Sequence, residues 1–235
     1  MVTGMLTTIG FDADDTLWQN EQFFRLTQDR FADLLSAYTD AETLHASLLE
    51  AERRNLGHYG FGIKGFMLSM IETAIEVTEG TVPGHVIAEL IAAGQDMLQH
   101  PIELLPHAAE VVAACARDYT VLLITKGDLL DQERKLAQSG LGDLFDGVEI
   151  VSHKTPESYA AIFKRRAVTP KTAMMVGNSL RSDVIPPLKI GAYGVFVPHD
   201  LTWALEHEEP PDGHARYRRI GDLGELPGLI ADLSI

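Results

Sequence analysis

An apolar run, Met5-Leu-Thr-Thr-Ile-Gly-Phe11, stops abruptly at Asp12, Asp14 and Asp15, with the hydroxyl of Thr16 close behind. The run is too short and too β-branched to favour a helix, so it predicts a buried strand that ends in acids. The pattern then takes on a helical period. Gln19–Tyr38 is amphipathic, with Phe23, Phe24, Leu26, Phe31, Leu34 and Leu35 apolar. Thr39 or Asp40 caps a second helix reaching about Leu56, a Gly-rich link follows, a third helix covers roughly Phe66–Thr78, and Pro83 opens a fourth that ends near His100-Pro101. Beyond that point strands and helices alternate. Helices are expected over Ala108–Asp118, Leu129–Ser139, Pro156–Arg166, Asp183–Ile190 and Asp222–Leu233. Strands are expected over Tyr119–Ile124, Val148–Val151, Thr172–Val176, Tyr193–Val197 and, more weakly, Tyr217–Ile220. Such alternation predicts an α/β domain whose parallel sheet carries helices on both faces. The first strand belongs to that sheet, so residues 18–100 read as an inserted helical bundle and residues 1–17 with 101–235 as the core.

The 235 residues suffice for one large domain or a domain with an insertion, and 46% apolar with 23% charged residues is ordinary for a globular chain. No stretch of 18 apolar residues predicts a membrane span, and Met1-Val-Thr-Gly-Met-Leu does not read as a signal peptide. The single cysteine, Cys115, lies in an apolar helix and reads as an inert core residue. Together these point to the cytoplasm. A net charge of −15 argues against a nucleic-acid partner, which needs a basic stripe. It also opposes an anionic substrate at long range, so a phosphate site here needs local basic groups and a metal to reverse the field.

In an open α/β sheet, ligands bind at the carboxyl edge, and four strands of this chain end there in polar residues. The first ends at Asp12-Ala-Asp14. Two carboxylates held close need a cation or a shared proton, and Mg²⁺ takes one or two carboxylates plus substrate phosphate oxygens. One Asp then serves to attack phosphorus while the other handles the leaving-group proton. A plain alternative is that these acids cap the next helix. A calcium loop is excluded, because Leu17 stands where Gly is required and Phe23 where the bidentate Glu belongs. The second strand ends at Thr125-Lys126-Gly127, where a hydroxyl followed by backbone N–H groups suits phosphate oxygens. The third leads to Lys154, just before a helix that opens with Pro156, a placement that can supply a fixed positive charge. The fourth ends at Gly177-Asn178-Ser179 with Asp183 beyond, oxygen donors for a metal or an ordinary helix cap by Ser182 or Asp183.

In this order and placement, each at a strand end, the motifs closely resemble the haloacid dehalogenase-like hydrolase superfamily over essentially the whole chain. The resemblance implies a Rossmann-like core with an inserted helical cap that closes over the site and selects the substrate. It implies a Mg²⁺-dependent phosphatase acting on a small phosphorylated metabolite through an aspartyl-phosphate. Asp12 is then the nucleophile and Asp14 the general acid and base. Thr125, Lys126 and Lys154 bind the phosphoryl group. Asp12, the Asp14 carbonyl, Asn178 and Asp183 form the metal site. The pair Asp12 and Asp14 favours a phosphatase over a dehalogenase, since the dehalogenating branch lacks the second acid. A dehalogenase or phosphomutase of the same fold, or a binding protein with a weakened metal site, are the rival readings. The chain departs from the family at Asn178, where Asp is usual; an amide oxygen can coordinate Mg²⁺ but brings no charge.

Gly60-Phe-Gly62-Ile-Lys-Gly65 matches a dinucleotide-binding fingerprint but follows a charged helix instead of a strand, so it reads as a helix–helix link. His207 and His214 do not form a zinc motif, because Pro210 and Pro211 break the helix it requires. Ala204–His214 is the loosest stretch and is expected to be a surface loop. Substrate identity and oligomeric state are not legible in the sequence.

Overall fold

A computed structural model describes residues 5–233 of the chain. The expectation for the first four residues, and the outer limits of the core at 1 and 235, lie outside them. Six strands form one parallel sheet: β1 Thr8–Phe11, β2 Thr120–Lys126, β3 Gly147–Val151, β4 Ala173–Gly177, β5 Tyr193–Phe196 and β6 Tyr217–Arg219, in the order β3-β2-β1-β4-β5-β6. β1 therefore lies inside the sheet although it comes first in the chain. Its neighbours are β2, where Phe11 pairs with Leu123, and β4, where Phe11 pairs with Val176. The strand order reverses at β1, the place where an open α/β sheet leaves a crevice at its carboxyl edge.

The described residues fall into two compact units. One comprises the chain up to Glu21, Ile102–Lys126 and the chain from Gln132 onward. The other comprises Gln22–Pro101 with Gly127–Asp131. In the first, side-chain alternation along the strands sorts two cores. Ile9, Phe11, Val121, Leu123, Met174, Val176 and Val195 face α5 (Ala108–Asp118) and α9 (Leu226–Leu233), meeting Val111, Val112, Leu226 and Ile230. Leu122, Ile124, Ala173 and Met175 face the other way, onto Tyr159, Ile162 and Phe163 of α7 (Pro156–Arg165). Burial on both faces explains why the strands read as continuous apolar runs.

The second unit contains α1 Glu21–Leu35, α2 Ala41–Tyr59, α3 Ile63–Val77 and α4 Gly84–Gln99, around Phe31, Leu44, Leu48, Phe66, Met70 and Leu90. Asp40 caps α2 by accepting from the Thr43 N–H at 2.9 Å. The Gly-rich segment joins α2 to α3. Gly60 and Gly62 have φ of 72° and 115°, and a Cβ on Gly65 would stand 2.9 Å from the Gly60 carbonyl, so the glycines answer to a tight helix–helix turn. Among the described residues, no helix is long and apolar enough to cross a membrane.

Two expected elements differ in kind. In place of one helix over Asp183–Ile190, a π-helical turn at Leu180–Val184 precedes a short α8, Ile185–Lys189, which begins before Pro186 and Pro187. Paired prolines lack the N–H groups a continuous helix would need and are tolerated only in its first turn. The closing helix starts with a 3₁₀ turn at Leu223–Glu225, capped by Asp222.

Candidate active site

Asp12 continues β1 by one step, its N–H bonded to the Val176 carbonyl at 2.9 Å, and it is buried at the sheet's carboxyl edge. The chain then turns sharply: Leu17 N–H reaches back to Ala13 at 2.8 Å, and Asp15 adopts φ of 58°. The three acids consequently part company. Asp12 accepts from the Lys154 ammonium on Oδ1 and from Thr16 Oγ1 on Oδ2 at 3.1 Å. Asp14 accepts from Trp18 Nε1 at 2.8 Å, Lys135 Nζ at 3.0 Å and Gln132 Nε2 at 3.2 Å. Asp15 accepts from the N–H groups of Asn20 (2.9 Å) and Glu21 (3.0 Å), so the plain capping role does apply, but to this third acid at the start of α1.

Lys154 is almost wholly buried and spans Asp12 and Asp183, reaching Asp183 Oδ1 at 2.6 Å. Its position is fixed by the start of α7, where Thr155 and Ser158 form a reciprocal capping box and Pro156 occupies the first turn. Burial opposes the Lys154 charge, yet Asp12 and Asp183 together outweigh it and raise its pKa. Burial, reinforced by Asp183 and opposed by Lys154, lifts the Asp12 carboxyl to about 7.

The turn after β4 supplies the remaining groups. Asn178 N–H donates to Thr16 Oγ1 at 3.0 Å. Ser179 caps the turn by accepting from Ser182 N–H at 3.0 Å, and Asp183 Oδ2 accepts from Ser179 N–H at 3.0 Å. Both Asp183 oxygens are thus committed, one to Lys154 and one to the turn. The Asn178 amide has two orientations. With its oxygen toward Thr16 it accepts a single bond of 3.3 Å; turned over, its NH₂ meets Asp12 Oδ2 at 3.3 Å, Thr16 Oγ1 at 3.3 Å and the Asp14 carbonyl at 3.2 Å. The second satisfies more partners.

The same atoms test the fit of a cation. Asp12 Oδ2 and the Asp14 carbonyl converge on one point, and turning the amide presents Asn178 Oδ1 to it. An all-oxygen set with one formal charge suits a hard cation that keeps several waters, such as Mg²⁺. Among the described residues, no three His, Cys, Asp or Glu side chains group as a metal site. The set here mixes one carboxylate with a backbone carbonyl and an amide.

Thr125 is buried at the end of β2. Its hydroxyl accepts from Gln132 Nε2 at 2.6 Å, and the same Nε2 reaches the Lys126 carbonyl at 2.8 Å. Gln132 joins Thr125 to Asp14, while its Oε1 is buried without a partner. The Lys126 ammonium meets Glu206 Oε1 at 2.5 Å and Ser182 Oγ at 2.9 Å. Asp12, Lys154 and Asp183 are therefore in direct contact, with Thr125 linked to Asp14 through one amide.

Sequence reasoning missed Thr16, Gln132, Lys135 and Glu206. Gln132 and Lys135 stand three residues apart on one face of α6 (Leu129–Ser139), buried where the helical pattern calls for apolar side chains, and that mismatch was the available signal. Glu206 carried none, being one acid among several in a Pro-containing stretch.

The family model described as haloacid dehalogenase-like hydrolase matches residues 6–190. The chain is a haloacid dehalogenase-like hydrolase. This hydrolase is 43% identical to a haloacid dehalogenase-like family hydrolase from Xanthomonas campestris over 97% of this chain and 92% of that one, with a TM-score of 0.86. The HAD-hydrolase YfnB from Bacillus subtilis, bound to magnesium, is 16% identical over 97% of this chain and 99% of its own, TM-score 0.69. The L-2-haloacid dehalogenase from Xanthobacter autotrophicus, with chloropropionic acid covalently bound, is 22% identical over the same shares, TM-score 0.65. At such identities the last two show the fold alone. No curated protein matches.

Proposed function

We propose that this hydrolase is a Mg²⁺-dependent phosphatase of small phosphorylated metabolites, working through an aspartyl-phosphate on Asp12. The observation that carries the reading is the second acid. A halide leaves without a proton, whereas the alkoxide of a phosphate ester needs one, and Asp14 stands two residues from the nucleophile on the same turn, anchored by three donors.

A carboxylate oxygen of Asp12 attacks phosphorus, and the bond from phosphorus to the ester oxygen breaks as that oxygen takes a proton from Asp14. Water then gives a proton to Asp14 and attacks phosphorus; the acyl-phosphate bond breaks, releasing orthophosphate and restoring the Asp12 carboxylate. Lys154, oriented by Asp183, offsets charge on the transferring group, and Thr125 binds its oxygens. Lys126 flanks this set, and its ammonium is held by Glu206. Asp12, the Asp14 carbonyl and Asn178 would hold Mg²⁺, with Asp183 contributing through water. When bound, the ion supplies the charge neutralisation that an acidic site needs to accept a phosphate.

A screen of phosphorylated sugars, nucleotides and small acids for released phosphate, with 2-haloacids scored for halide, tests the reading. Phosphate release from at least one small monoester is expected, abolished by chelator. Halide release without phosphate release would replace the phosphatase with a dehalogenase.

A further inference from the structure

The segment after β5 was expected to be a loose acidic surface loop, yet it turns one carboxylate inward. Glu206 ends a 3₁₀ turn, Ala204–Glu206, and its side chain is only 16% exposed. Oε1 accepts from Lys126 Nζ at 2.5 Å, while Oε2 accepts from Ser179 Oγ and Ser182 Oγ, each at 2.5 Å. Arg181 Nη1 bonds the Leu205 carbonyl at 2.8 Å and anchors the same turn. Every one of these partners belongs to the carboxyl edge of β2 or the turn after β4. Burial opposes the Glu206 charge, but the Lys126 charge and the three bonds outweigh it and keep the carboxyl below its usual range.

Consider the charges at the edge. Lys154 is matched by Asp12 and Asp183, and Lys135 by Asp14. Lys126, beside the phosphate-binding Thr125, is a further cation of this edge, and the chain brings a distant acid to it. A buried carboxylate has to be paired, and the partner of Glu206 is the ammonium that follows Thr125 at the site, so the pair sets local charge as well as fastening the turn.

We propose that Glu206 is a positioning residue that sets the site's affinity for anions: it holds Lys126 and neutralises it, leaving Lys154 and the metal to define where a phosphate settles. The inference deepens the phosphatase reading and rests on it for the identity of the anion.

Orthophosphate binding tests it, measured by calorimetry on the full chain at fixed Mg²⁺ and low ionic strength, for the native protein, E206Q, K126M and the double variant. Removing the carboxylate charge that faces the Lys126 ammonium tightens phosphate about fivefold in E206Q, the water-screened Coulomb limit for one unit charge at short range. K126M, which leaves Glu206 as an unmatched anion, weakens phosphate about fivefold by the same reasoning, and adding E206Q restores it to near the native constant. With an aryl phosphomonoester, E206Q lowers KM more than it changes kcat. Thermal melts confirm that all four proteins are folded. If Glu206 only fastened its loop, E206Q would leave phosphate binding unchanged or weaker and would not rescue K126M, and either result overturns the proposal. So does absence of phosphate binding in all four proteins. If no ester is hydrolysed while the fivefold gain and the rescue are both seen, the role of Glu206 stands and the phosphatase reading falls. If esters are hydrolysed and the cycle is flat, only the role of Glu206 falls.

Discussion

Nothing larger than a hydrogen fits at Gly177, because a Cβ there would stand 2.5 Å from the carboxyl carbon of Asp183. The residue ends β4 in extended backbone, so close approach, not a special φ, makes it glycine. Gly177→Ala must push Asp183 aside, and Asp183 holds both Lys154 and the Ser179 N–H. Displacement near 1 Å at such a group lowers kcat on the order of 100-fold. The measurement is steady-state phosphate release beside a thermal melt. A variant with native kcat would show that Asp183 does not position Lys154.

Asp12→Asn removes the nucleophile and leaves a side chain of the same shape. Turnover is expected at or below about one-thousandth of native, as for loss of other covalent nucleophiles. Lys154 keeps Asp183, and burial already disfavours the Asp12 charge, so the melting temperature changes little. A mutant that retains most of its activity would defeat the aspartyl-phosphate.

Most of the architecture was legible in the chain. The apolar run ending in Asp12, the switch from helical period to strand–helix alternation, and the polar strand ends at Thr125, Lys154 and Asn178 belong to local patterns, and local patterns determine elements. The π-turn at Leu180–Val184 was not legible, since the helical preference of that stretch gives way to the Ser179 and Asp183 cap and to Pro186 and Pro187. The partners of Asp14 were hidden for a different reason. Lys135 and Gln132 lie more than a hundred residues away in sequence, and their contacts follow from sheet order. For Asp15, the neighbouring acids masked a simple capping role.

Gln132 offers a sharper probe of that arrangement. Its Nε2 serves Asp14, Thr125 and the Lys126 carbonyl, while its Oε1 is buried and unpaired. Gln132→Leu removes one unsatisfied acceptor but takes the donor from Asp14, Thr125 and the Lys126 carbonyl, so the variant melts below native by about 1–3 kcal/mol. Activity falls further than that loss accounts for: with Thr125 and Asp14 uncoupled, kcat of the folded variant falls at least about tenfold. Melting and kinetics on one preparation separate the two effects. A stable variant with unchanged kcat would remove Gln132 from the site.

Away from the site, Glu149 on β3 accepts from Arg165 and Arg166 at the end of α7. Burial works against its charge, but the two guanidinium groups outweigh it and lower its pKa. A carboxyl bound more weakly by protons in the folded state stabilises above its ordinary range, and that stabilisation is lost as pH falls through the folded value. Glu149→Gln therefore melts below the native protein at pH 7, by about 1 kcal/mol because Arg165 is more than half exposed. The gap closes as pH is lowered from about 4.5. A gap that is constant from pH 7 to pH 3 would mean that packing, not the ion pairs, separates the two proteins.

Asn178→Asp tests the metal set directly. In its better-satisfied orientation the amide NH₂ bridges Asp12 Oδ2 and the Asp14 carbonyl. A carboxylate there loses those donors and faces Asp12 as a like charge, so in chelator the variant melts below native. Mg²⁺ reverses the order, because two carboxylates and a carbonyl bind a hard cation more tightly than one carboxylate, a carbonyl and an amide. The half-saturating Mg²⁺ concentration for phosphate release falls about tenfold, the water-screened attraction of one extra carboxylate being partly offset by its repulsion from Asp12. The rise in melting temperature on adding Mg²⁺ grows correspondingly, a readout that does not depend on turnover. Both shifts follow from the amide oxygen reaching the ion. If neither the half-saturating concentration nor the Mg²⁺-dependent melting shift moves, Asn178 is not a ligand and the cation lies elsewhere.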